Sequence, residues 1–82
     1  MATLVVKVTD GQTGASISYV HVEADGMVLT TGLDGSCSFG VDQGKTYTVK
    51  VRSNFYRPFS QSILVNQATV TVNAQIQKAI LS

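Results

Sequence analysis

The chain has little of what catalysis, crosslinking or membrane insertion would use. Its 82 residues include one cysteine, one histidine, one proline and no tryptophan, and only 13% are charged. A lone cysteine, Cys37, excludes an intrachain disulfide, so the fold must be held by its apolar core; the residue itself reads as a small buried hydrophobe. The lone histidine, His21, has Glu23 beside it but no Cys, His or Asp at zinc-ligand spacing and no Asp at triad spacing. No Gly-x-Ser-x-Gly elbow occurs, and no glycine-rich phosphate loop opens onto a helix. The expectation is therefore not an enzyme, with no catalytic residue, cofactor or metal. A net charge of +1 provides no footprint for nucleic acid or an anionic membrane surface, and no apolar run is long enough to span a bilayer, so neither nucleic acid nor membrane insertion is expected. No secretory signal pattern precedes Thr3, which suits a virion component or the mature part of an extracellular protein.

What the chain does have is rhythm. Seven runs of alternating apolar and polar residues follow one another: Thr3 to Thr9, Ile17 to Ala24, Met27 to Thr31, Ser36 to Val41, Thr46 to Arg52, Phe59 to Val65 and Ala68 to Ile76. Alternation places every second side chain on one face of a sheet, here Leu4, Val6 and Val8, then Val20, Val22 and Ala24, then Tyr47, Val49 and Val51. Between the runs stand Asp10-Gly11, Asp25-Gly26, Asp34-Gly35 and Asp42-Gln43-Gly44, residues that cap turns and supply positive φ. Pro58 lies in an irregular corner from Asn54, outside any central strand. No run repeats at the helical period. The expected fold is all-β: a seven-stranded antiparallel Greek-key β-sandwich formed by one domain over residues 1–82, with its core at about 4–76 and a tail at 77–82. The fifth run, which alternates most cleanly, should lie near the centre of a sheet.

The order of these devices resembles a known family. Val6-x-Val8-x-Asp10, Thr13-Gly14, Val20-x-Val22, Thr31, Asp34-Gly35-x-Cys37-x-Phe39, Gly44-x-x-Tyr47-x-Val49 and the Phe55-Tyr56 corner together look like the carboxypeptidase regulatory-like domain, over about Leu4 to Ile76. Asn54 departs from the pattern, standing where that family has glycine before its aromatic. The resemblance implies an immunoglobulin- or prealbumin-like sandwich that serves as a spacer or docking unit, with no catalytic residue.

Three functional expectations follow. The first is a structural and interaction module of a larger virion or extracellular assembly. Sparse charge, sheet edges unprotected by proline or dense lysine, and an apolar tail suggest contacts with protein, self-association included, through terminal strands at Val5 and through Ile80 and Leu81. The second is an accessory domain binding carbohydrate or another ligand at the basic and aromatic corner formed by Lys50, Arg52, Tyr56 and Arg57, with Phe55 nearby. The plainer reading of that corner is an aromatic closing the sandwich end while the cations stay in water. The third is a regulatory appendage of a carboxypeptidase-like parent. Each pole of the sandwich should gather two carboxylates, Asp10 with Asp34 and Asp25 with Asp42, which read as turn caps rather than a calcium cage.

Overall fold

Alternation does produce two faces per strand, and the computed structural model, which describes residues 1–79, shows how they are stacked. Seven strands form: β1 (Ala2–Asp10), β2 (His21–Ala24), β3 (Met27–Thr30), β4 (Ser36–Val41), β5 (Thr46–Arg52), β6 (Phe59–Leu64) and β7 (Thr69–Ile76). They make a three-stranded sheet of order β4-β1-β7 and a four-stranded sheet of order β3-β2-β5-β6. Leu4, Val6, Val8, Val72, Ala74 and Ile76 from the first sheet meet Val22, Ala24, Val49 and Val51 from the second, all of them buried. Fully burying one such valine contributes about 1.5 to 3 kcal/mol, so the shared core supplies the main driving force for folding.

One expectation about this architecture is overturned. The sandwich is not wholly antiparallel: β1 and β7 pair in parallel, in register from Thr3↔Thr69 to Asp10↔Ile76. Seven strands that alternate in direction leave the first and seventh pointing the same way, and sheet order then makes them neighbours. The same order corrects the role given to the first run. β1 pairs with β4 on one side and β7 on the other, so it offers no free edge; Val5 sits half-buried on its outer face, opposite Ser38 and Thr71. Among the described residues the free edges belong to β3, β4, β6 and β7. Ile80 and Leu81 lie outside the described residues.

The second run is also shorter than its pattern. Ser16 still bridges to Thr9, and the Ile17 amide donates to the Val8 carbonyl at 3.0 Å, so this segment belongs to the first sheet. The chain then crosses over, and only from His21 does it pair within the second sheet. Thr31 holds the crossing in place. Its buried hydroxyl donates to the Ile17 carbonyl at 3.0 Å and accepts the Val20 amide at 3.0 Å. Next to it, Gly35 has φ +78, and a Cβ there would stand 2.9 Å from the Val8 carbonyl oxygen, so the close packing of this turn on β1 requires glycine.

Candidate functional site

The outer face of the four-stranded sheet brings together the polar positions of β2 and β5. His21 is paired with Arg52 and Glu23 with Lys50, while on the flanking strands Val28 lies opposite Glu23 and Ser60 opposite Lys50. Above these pairs, at the pole where β5 ends, the sheet face runs into a groove of about 990 Å³. Tyr19 and Phe55 line it as well. The only ion pair among the described residues, Lys45 with Asp42 at 3.4 Å, belongs to the opposite pole. Lys50 and Arg52 thus face the groove without a carboxylate at ion-pair distance among the described residues.

Two of the three groove aromatics, Tyr19 and Phe55, share an uncommon backbone. Tyr19 has φ 58 and Phe55 has φ 72, and the one further non-glycine residue at positive φ among the described residues, Asp25, occupies the Asp25-Gly26 hairpin turn where that geometry is ordinary. A bulky side chain in the left-handed region costs of order 1–3 kcal/mol and persists where its surroundings fix it. Here both are fixed by backbone bonds: the Tyr19 amide donates to the Thr31 carbonyl at 3.0 Å, and the Phe55 carbonyl accepts the Ala79 amide at 2.9 Å. Neither side chain is used to fill the core. Tyr19 is 68% exposed and Phe55 66%.

Tyr56 has a different role from its neighbour. It is half-buried against the core, and its hydroxyl donates to Asp10 Oδ2 at 2.8 Å. Asp10 Oδ1 meanwhile accepts the amides of Gln12 at 2.7 Å and Thr13 at 3.2 Å. The Gln12 amide, followed by the Tyr56 hydroxyl, holds the Asp10 carboxyl below its ordinary range, and the same bond pushes the Tyr56 phenol up. Of the corner residues expected from the sequence, Lys50, Arg52 and Tyr56 line the groove, with Tyr56 also tying the sandwich end together. Arg57 does not line it; its side chain is exposed while its backbone amide donates to the Gln77 carbonyl at 2.7 Å.

Tyr19 escaped the sequence reading because it sits inside an alternating run, and the left-handed backbone that turns it outward arises only where the chain changes sheets. Cys37 is half-buried on β4 and packs against the core, and burial raises its thiol pKa.

A second surface lies along the edge of the same sheet. β3 is exposed along its whole length, with Val28 at 58% and Leu33, just beyond the strand, at 82%. Met27 and Leu29 pair with Ala24 and Val22, whose side chains are buried, yet both stay partly exposed.

No protein-family model matches the chain, and no curated protein matches it. Among solved structures it is similar to the group B streptococcus pilus 2b backbone protein, with 18% identity and a TM-score of 0.81 over 94% of this chain and 41% of that one. It is also similar to a protein of unknown function from Bacteroides fragilis NCTC 9343, with 18% identity and a TM-score of 0.68 over 99% of this chain and 30% of that one. The chain thus spans less than half of either protein. At this identity the likeness shows the fold, a β-sandwich, and nothing more specific.

Proposed function

We propose that the chain is a non-catalytic structural module of a larger extracellular or surface-attached assembly, making its protein contacts through the β3 edge. The exposed edge carries this reading: Met27, Val28 and Leu29 present apolar side chains beside backbone groups that face no further strand among the described residues, and β3 itself holds no proline or lysine to guard them. Strand addition there would satisfy those groups and cover the apolar side chains, with the most economical partner a second copy of the chain. The pilus backbone protein of similar fold supports an appendage setting; a virion setting and a carboxypeptidase-like parent are alternatives that rest on the sequence alone. A Greek-key, prealbumin-like relationship to the carboxypeptidase regulatory-like domain belongs to the same proposal and is supported by the order of turns and strands.

The test is the solution mass. Light scattering over a wide concentration range should show the native chain growing in mass with concentration, while Val28→Lys, which places a charge on the edge, should remain a monomer with an unchanged melting midpoint. A native chain that stays monomeric at its highest attainable concentration would contradict the edge reading.

A second reading is favoured by the groove, where two exposed aromatics are held in a costly backbone beside two cations. It would be a carbohydrate-binding site, with Phe55 and Tyr19 as stacking faces and Lys50 and Arg52 as donors to hydroxyl or carboxylate oxygens. Titration with a set of neutral and acidic oligosaccharides should then detect saturable binding that Phe55→Ala weakens by about tenfold. Tyr56→Ala would not discriminate, because it also removes the Asp10 tie. Binding unaffected by Phe55→Ala and Tyr19→Ala would exclude a stacking site.

A further inference from the structure

We propose that this module bears tension between its two poles, with β1 and β7 as the clamp. The inference rests on the assembly reading for the origin of the load; the clamp itself rests on topology. β1 begins at the pole that carries the Asp25 and Asp42 turns, and β7 ends at the pole that carries Asp10 and the Phe55 corner. Force applied through the chain before Ala2 and after Ile76 pulls these two parallel, adjacent strands in opposite directions along their own axes. All eight register pairs from Thr3↔Thr69 to Asp10↔Ile76 are then loaded together. An antiparallel hairpin pulled from its open end would instead lose its bonds one at a time.

The ladder is reinforced at both ends. The Thr3 amide donates to the Ala68 carbonyl at 2.9 Å and the Gly11 amide to the Ile76 carbonyl at 2.9 Å. β1 cannot slide without also shearing its antiparallel register with β4, from Ala2↔Val41 to Lys7↔Ser36, or without dragging Leu4, Val6 and Val8 through a packed core. Past β7 the chain is pinned again, by the Arg57 amide on the Gln77 carbonyl and the Ala79 amide on the Phe55 carbonyl. The Asp10–Tyr56 bond joins the end of β1 to the same corner, so that the loaded strands are anchored in both sheets. The long dimension of the molecule is 44 Å against 20 and 19 Å across, as suits an element strung in series.

Single-molecule pulling tests this on the full chain. With handles at residues 1 and 82 the ladder is sheared; with handles at residue 1 and at Asp42→Cys, in a Cys37→Ser background, the β1–β4 pair is opened from its end. The rupture force should be at least about twofold higher in the first geometry, because forced unfolding follows the unfolding barrier and shear raises it. Thr3→Pro, which removes the Thr3 amide bond to Ala68 on the β7 side of β1, should lower the first force and not the second; a melting midpoint taken beside it establishes that the variant folds. Equal rupture forces in the two geometries, or a first force indifferent to Thr3→Pro, would overturn the clamp. Solution mass does not enter this comparison, so failure of the edge reading and failure of the clamp are separate results.

Discussion

Asp10 shows how much one side chain can hold. It ends β1, caps its own turn through Gln12 and Thr13, and accepts the hydroxyl of Tyr56, 46 residues away in sequence. The turn cap was legible in the sequence, since Asp before Gly is a local device; the Tyr56 partner was not, because nothing local links two residues so far apart. With its folded pKa held below the unfolded value of about 3.9, Asp10 contributes stability that is present above about pH 4 and lost as pH falls through the folded value. Asp34, lowered chiefly by the Ser36 hydroxyl, acts in the same direction over the same window. Tyr56 is the mirror case: its raised pKa gives stability that is complete below about pH 10 and lost as pH rises through the folded value. Melting midpoints recorded from about pH 7 down to about pH 2 should fall in acid, and Asp10→Asn should flatten that fall while Asp34 preserves part of it. An unaltered acid profile in Asp10→Asn would show that the carboxylate is not coupled to folding.

Strand positions were the most legible elements, and strand neighbours the least. β5 matches its expected range and burial, with Tyr47, Val49 and Val51 inward, and it lies between β2 and β6 as a central strand should. Val49 is fully buried there, so Val49→Asp would place a carboxylate in a core with no partner, at a cost of several kcal/mol against a total stability of roughly 5 to 15 kcal/mol. Loss of the β-sheet circular dichroism signal and of cooperative urea unfolding is expected; a folded variant would contradict the register of β5. β1 teaches the opposite lesson. Its inward face was readable from Leu4, Val6 and Val8, but its place between β4 and β7 was not, since alternation says which face is buried and nothing about which strands lie alongside. The second run misled for a related reason: its alternation continues through a segment that changes sheets at Tyr19.

At the scale of the whole molecule, direction matters more than composition. Because β1 and β7 run in parallel, the polypeptide crosses the 44 Å axis from pole to pole, and tension along the chain becomes shear across a ladder closed at both ends. The pulling comparison belongs to this scale, as does the solution mass, since β3 lies at the flank of the sandwich and pole-to-pole stringing leaves it free for lateral pairing. Local pattern was enough for the all-β class, the seven strands, the inward faces and the turns that reverse the chain, because alternation, Asp-Gly pairs and glycine act over a few residues. It also carried the direction of every strand, since each turn reverses the last. It took the packed fold to make the first and last strands neighbours, to bring Tyr56 to Asp10, to set Tyr19 and Phe55 on one groove, and to leave β3 exposed. Those are choices among pairings distant in sequence, made by the fit of two apolar sheet faces to each other, and no local pattern encodes that fit.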